Sequence, residues 1–204
     1  MKKALIGLLL TLAGIAALAL VPSTQPKAPM PWEVTVMADG NSEVFGVHLG
    51  KTSYKEAQEH LKEYGEAAIF TQEGKEPSVE AFFQSINLGG LSAKLILTLV
   101  VDQSSIDTMI SHALQARIQP SGARKYELDN QAHIGLMSAV VKTLTYIPSV
   151  KLNDEMVTYR FGEPQEITKD KDDANTAIWH YPTLGLTIRL NPEQKTMLEY
   201  QALN

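Results

Sequence analysis

The side chains best suited to chemistry in this chain are its five histidines, and their spacing argues against a shared site. They are His48, His60, His112, His133 and His180. Two histidines that bind zinc from one helix stand four residues apart, and no pair here has that spacing or an HExxH context. The sequence also contains no G-x-S-x-G elbow, no S-x-x-K motif and no phosphate-binding glycine loop. We therefore predict no catalytic residues.

A polar cluster between residues 169 and 175 is the remaining candidate for a metal site. Asp170, Asp172 and Asn175 could offer oxygen atoms to calcium. The cluster lacks the glycine and the distal glutamate of an EF-hand, and Lys169 and Lys171 offset its charge. We interpret it as a solvated hairpin tip, and we predict no metal and no cofactor.

Composition narrows the class of protein. The chain has 204 residues, 44% of them hydrophobic, which is enough for the core of one globular unit or two small ones. It has no cysteine, which excludes a disulfide scaffold, a thiolate site and a lipid-modified cysteine. Lys and Arg number 18 against 23 Asp and Glu, a net charge of −5, so the chain lacks the basic excess that nucleic-acid binding requires.

The N-terminus predicts export. Residues 4–21 contain no charge and follow two lysines, Lys2 and Lys3. This apolar segment is either a signal peptide, cleaved near Ala19 in the small-x-small sequence Ala17-Leu18-Ala19, or a retained membrane anchor. Because the lysines precede the segment, the positive-inside rule places residues 22–204 outside the cytoplasm in both cases. The pattern is typical of bacteria, and we predict contact with the membrane through residues 4–21.

A proline-rich linker separates this segment from the globular sequence. Residues 22–31 contain four prolines, which disfavour a helix and favour extended polyproline geometry. The linker is either a stiff spacer that holds a domain off a membrane or the disordered start of a mature chain.

Residues 32–120 are predicted to form a first α+β unit. Its clearest element is a helix that begins after Ser53, has the capping-box residue Glu56 and ends at Gly65. Three strands and a second helix are predicted to follow: Ala67–Phe70, Val79–Ile86, Leu91–Val101, and a helix from Ser104 or Ser105 to about Arg117.

The strand Leu91–Val101 is apolar on both faces, which predicts cover on both sides. If the following helix leaves Ile96 and Val100 uncovered, these two residues would mark a partner-binding surface.

Residues 121–204 are predicted to form a second α+β unit. One helix starts at Asn130 and carries Ile134, Met137, Val140 and Val141, and a shorter helix spans Asp154–Phe161. Four strands follow at about 165–168, 176–181, 184–190 and 196–201. Trp179 and Tyr181 share one face of their strand, either within the core or as part of a binding patch.

The two units have the same order of elements. The sequence Lys51-Thr52-Ser53 before one helix parallels Lys151-Leu152-Asn153 before another, and residues 97–102 parallel residues 186–191. The units are therefore either a tandem repeat or two halves that share capping and turn chemistry. The predicted fold is α+β, with two small helix-plus-antiparallel-sheet units after an N-terminal apolar helix.

The second unit resembles a known module. The sequences Leu152–Val157 and Phe161–Pro164, then Ile178–Pro182 and Leu186–Leu190, are similar to the BamE-like (SmpA/OmlA) family. That family shares its plan of two helices and three strands with β-lactamase-inhibitor proteins. The resemblance covers residues 130–201 and implies a non-enzymatic binding module of the bacterial envelope. Members of that family are lipoproteins anchored through a cysteine, so an anchor in this cysteine-free chain would have to be residues 4–21, which points to the inner membrane.

The expected function is that of a non-catalytic envelope protein, exported, membrane-anchored and acting by binding an envelope protein. It would face the periplasm from the inner membrane, or be periplasmic or secreted if cleaved near Ala19. Its candidate partner-binding residues are Ile96, Val100, Trp179 and Tyr181. The alternatives are a secreted enzyme inhibitor of the β-lactamase-inhibitor type and a hydrolase whose site has no recognisable motif.

Overall fold

The computed structural model describes residues 30–203. The predicted apolar helix at residues 4–21 and most of the proline-rich linker lie outside these residues. Within 30–203, no helix is long and apolar enough to cross a membrane. The described chain is α+β, with antiparallel strands throughout.

The described chain has short helices and mostly short strands. The helices are α1 (Tyr54–Leu61), α2 (Gln103–Ser111), α3 (Asn130–Leu136) and α4 (Asp154–Phe161), with a 3₁₀ turn at Pro182–Leu184. The strands are β1 (Thr35–Val36), β2 (Ser42–Val44), β3 (Val47–His48), β4 (Glu66–Thr71), β5 (Ser78–Leu88), β6 (Leu91–Val100), β7 (Gln115–Ile118), β8 (Arg124–Glu127), β9 (Val140–Pro148), β10 (Glu166–Lys169), β11 (Ala177–Tyr181), β12 (Leu186–Leu190) and β13 (Met197–Gln201).

Within residues 30–203, ten strands form one antiparallel sheet in the order β10-β11-β12-β13-β9-β6-β5-β4-β8-β7, and β1, β2 and β3 form a small second sheet. The central strand β9 pairs with β6 on one side and with β13 on the other. Strands from both predicted units therefore pair within a single sheet.

Local capping fixes where the helices begin. Ser53 accepts a hydrogen bond from the Glu56 backbone and Glu56 reaches back to the Ser53 backbone, which confirms the predicted capping box of α1. Asn153 caps α4 in the predicted position. The caps of α2 and α3 are Asp102 and Asp129, each one or more residues before the predicted cap.

Two helix predictions were too long. The helix after residue 102 ends at Ser111, and residues 115–117, which the prediction placed in its last turn, belong to strand β7. The helix expected to carry Val140 and Val141 ends at Leu136, and both valines belong to β9. The Val141 amide donates to the Thr52 carbonyl oxygen at 3.0 Å, and the Gly50 amide donates to the Val141 carbonyl oxygen at 2.8 Å. Pairing with distant chain segments thus takes these residues out of the helix.

The core lies on one side of the large sheet. Tyr54, Ala57 and Leu61 of α1 belong to the same buried cluster as Leu95 and Leu97 of β6. Val157 of α4 and Leu136 of α3 belong to that cluster as well. Because successive strand residues point to opposite faces, the other face of β6 carries Lys94, Ile96, Thr98 and Val100.

Candidate interaction surface

The face of the large sheet opposite the helices forms the most extensive candidate site. We call it the open face. Ile96 lies near its centre, opposite Phe82 of β5 on one side and Thr145 of β9 on the other. Phe82 and Ile96 are half-buried, and Thr145 is buried.

An aromatic pair extends the apolar part of the open face toward β4. The rings of Phe82 and Phe70 have centroids 5.4 Å apart in a tilted arrangement. The Lys125 ammonium lies 6.0 Å from the Phe82 ring centroid and 3.1 Å from the Glu66 carboxylate. This part of the face, the Phe82 patch (Phe70, Phe82, Ile96, Lys125 and Glu66), thus combines half-buried apolar groups with a rim ion pair.

The Phe82 patch has the make-up of a protein-binding surface rather than of a catalytic centre. Aromatic side chains supply contact area, and a polar rim adds orientation. The sequence analysis identified Ile96 but missed Phe82. Alternation along β5 was the available signal, because Phe82 stands between the core residues Ala81 and Phe83.

Val100 lies on the same face as Ile96 and is 54% exposed. It pairs with Val140 and lines a groove of about 790 Å³ between α2 and α3. The expected two-sided cover of β6 is therefore wrong at this end of the strand, since the Val100 side chain remains exposed.

The polar groups that line this groove are paired within their own helix ends. Asp102 accepts hydrogen bonds from the Ser104 and Ser105 hydroxyls and from the Ser105 amide. These hydrogen bonds hold the pKa of the Asp102 carboxyl well below its usual range, so it stays ionised at neutral pH. His112 Nδ1 lies 3.0 Å from the Thr108 carbonyl oxygen. His112 Nδ1 also lies 3.1 Å from Ser111 Oγ, so both Asp102 and His112 are paired within α2 and its ends.

Trp179 and Tyr181 lie on the opposite side of the sheet, in the core. Their exposed fractions are 6% and 5%. The Tyr181 ring lies 5.9 Å from that of Phe161 in α4, and its hydroxyl donates to the Gly162 carbonyl oxygen at 3.0 Å. Burial raises the pKa of Tyr181 to about 12. The structure therefore separates these two aromatic residues from Ile96 and Val100.

The acidic loop between β10 and β11 is held by internal contacts. Asp170 forms an ion pair with Arg189 of β12, and the Asp172 amide lowers the pKa of Asp170. Asp173 accepts a hydrogen bond from Asn191 Nδ2 at 2.7 Å. Among residues 30–203 no group of three or more His, Asp or Glu side chains is placed to hold a metal ion.

Comparison of the chain with protein-family models, curated proteins and solved structures gives no significant match.

Proposed function

We propose that this protein is a non-catalytic interaction module of the bacterial cell envelope, which binds a protein partner through the open face. The observation that carries the proposal is the uncovered side of the large sheet, with Ile96 and Phe82 at its centre. A sheet face with half-buried apolar groups and no helix above it gains free energy when a partner surface excludes water from it.

The start of the folded part supports a tethered display. The Tyr200 hydroxyl donates to the Pro31 carbonyl oxygen at 2.5 Å, and the Arg160 guanidinium lies 3.9 Å from the Trp32 ring centroid. These contacts fix the end of the proline-rich linker directly against β13 and α4. With residues 4–21 retained in the inner membrane, such a linker would hold the sheet at a short distance on the periplasmic side.

The order of elements supports a duplicated BamE-like plan. Helix α1 is followed by the antiparallel strands β4, β5 and β6, and α4 is followed by β10, β11 and β12. We infer that these helix-plus-three-strand units are the two copies of a tandem repeat.

Site-specific photo-crosslinking of the full chain in bacterial cells tests the proposal. A crosslinking amino acid at Ile96 should capture a protein of discrete mass, whereas the same group at Val150, an exposed residue outside the open face, should not. The Phe82→Asp substitution should then reduce capture at residue 96 by at least tenfold, and a thermal melt of that variant should confirm that it is folded. Equal capture at 96 and 150 would refute an open-face site.

Cell fractionation separates the tethered module from a secreted inhibitor, which could use the same open face to bind an enzyme. The tethered module should stay in the membrane pellet at full length. An inhibitor should be soluble and begin near residue 20.

A further inference from the structure

The two edges of the large sheet differ in how well they are protected against pairing with another strand. At one edge, β10 carries Glu166 and Lys169, and Pro164 precedes it. Charges and prolines of this kind discourage edge-to-edge association. At the other edge, β7 contains no proline and only one charged residue, Arg117, and all of its residues are exposed.

The β7 edge presents free backbone groups. The Gln119 amide donates to the Ala123 carbonyl oxygen at 2.7 Å, which makes residues 119 and 123 a hydrogen-bonded pair of the β7–β8 hairpin. Hydrogen-bonded pairs alternate along an antiparallel ladder. The backbone N–H and C=O groups of Arg117 therefore face β8, while those of Ala116 and Ile118 face outward. Within residues 30–203 no strand pairs with that outer side of β7.

Exposed apolar side chains flank these groups. Ile118 is 73% exposed and Leu114, just before the strand, is 68% exposed. Ile118 points to the same side as Ala116, since strand residues two apart share a face. The Leu114 amide donates to the Glu127 carbonyl oxygen at 2.9 Å, so Leu114 lies outside the regular alternation of β7. An edge with free backbone groups and uncovered apolar side chains is suited to β-strand addition.

We propose that β7 pairs antiparallel with β7 of a second copy of this chain, around a two-fold axis at Ala116. In this register the two Ala116 residues exchange backbone hydrogen bonds. Gln115 lies opposite Arg117, an amide–guanidinium contact that these two side chains already make within one chain at 2.6 Å.

The side chains favour this register and this occupant. A two-fold axis one residue further on would place the two Arg117 side chains directly opposite each other, which is destabilising. Gln115 and Arg117 lie symmetrically about Ala116, so each amide faces a guanidinium of the other copy and the strand is complementary to itself, as a two-fold interface requires. This dimer would form at the edge of the sheet, so the proposal does not depend on a partner binding at the open face.

Single-cysteine cross-linking in the full chain tests the proposal, because the natural sequence has no cysteine. Residues in a hydrogen-bonded antiparallel pair have Cα atoms about 5.5 Å apart, within the range that a disulfide spans. Under mild oxidation the Ala116→Cys variant should form a covalent dimer. The Ser121→Cys variant, exposed at the tip of the same hairpin, should give at least tenfold less, since its two copies would be about 30 Å apart in this register.

Two further variants test the register and the backbone pairing. Gln115→Cys and Arg117→Cys should cross-link to each other when co-expressed with different tags, but neither should dimerise alone. Ala116→Pro removes an N–H that β8 does not use, so sedimentation should show a folded monomer. Equal cross-linking at residues 116 and 121, or an Ala116→Pro protein that remains dimeric, would overturn the proposal.

Discussion

The Tyr200 hydroxyl donates a hydrogen bond of 2.5 Å to the Pro31 carbonyl oxygen, and both residues are buried. Tyr200 belongs to β13, near the centre of the large sheet, whereas Pro31 ends the proline-rich linker. This contact joins residues 169 positions apart in the chain. It fixes the point at which the linker becomes part of the folded core.

The Tyr200→Phe substitution should destabilise the protein by about 1–3 kcal/mol. The change keeps the ring but leaves a buried carbonyl oxygen without its donor, and an unsatisfied buried polar group costs about that much. Urea denaturation of the two proteins, followed by circular dichroism, measures the difference.

Tyr146→Phe is the matched control. Within residues 30–203 the buried Tyr146 hydroxyl has no hydrogen-bond partner, while its ring lies 5.5 Å from that of Phe45. Removing this hydroxyl should leave the free energy of unfolding unchanged or raise it by up to about 1 kcal/mol. A loss at Tyr146 equal to that at Tyr200 would show that the Pro31 contact is not the cause.

The Gly185→Ala substitution should be one of the most disruptive single-methyl changes in this fold. Gly185 has a φ of +56°, and an added Cβ would lie 2.5 Å from the Gln201 backbone oxygen. Gly90 has a φ of +83° but nothing within 4 Å of such a Cβ. Gly90→Ala should therefore show the cost of left-handed backbone alone, about 1–2 kcal/mol. Gly185→Ala should lose more stability in the same urea experiment, because β13 must also move, and equal losses would rule out the steric effect.

Local chemistry was sufficient to predict some elements. Ser53 and Glu56 stand at capping-box spacing, and the two glycines at 89–90 lie between long apolar runs, so α1 and the β5–β6 hairpin could be predicted from adjacent residues. Strand β9 could not be predicted in this way. Its first valines continue the helical spacing of Ile134 and Met137, and its strand state depends on β6 and β13, which are distant in sequence.

Part of the candidate surface could also be predicted from the sequence. Apolar residues on both faces of β6 pointed to Ile96 and Val100, but the sequence did not show which face the helices would cover. The alternating spacing of Trp179 and Tyr181 is the same for a surface face and for a core face of a strand. Their place in the core depends on the packing of α4 against β11. The role of β7 as an edge strand likewise follows from topology rather than from local pattern.

The stability of the protein should fall steeply at alkaline pH. Burial raises the pKa of Tyr54 to about 12 and that of Tyr181 to about 12, and raises the pKa of Tyr200 well above its ordinary value. An unfolded tyrosine ionises near pH 10. Because the folded state holds the neutral phenols, their contribution is fully present below pH 10 and is lost as the pH rises through about 12.

Absorbance at 295 nm, which reports tyrosinate, measures this effect alongside circular dichroism. Ionisation of the buried tyrosines should coincide with loss of structure. The Tyr54→Phe variant should show a shallower fall of unfolding free energy between pH 10 and pH 12, despite losing the 2.6 Å hydrogen bond from Tyr54 to the Gly65 carbonyl oxygen. A slope identical to that of the unsubstituted protein would contradict the assignment of the pH dependence to buried phenols.

The Trp179→Ala substitution should lower the free energy of unfolding strongly, and the Val100→Ala substitution should barely change it. Trp179 is buried against the helices, and truncating a large core aromatic residue costs about 3–5 kcal/mol. Val100 is exposed at the edge of the α2–α3 groove, and its truncation should change the free energy of unfolding by no more than about 0.5 kcal/mol. Denaturation midpoints at equal m-values give both numbers. If Val100→Ala were as destabilising as Trp179→Ala, α2 would have to cover this end of β6 in solution, and the open face would end before Val100.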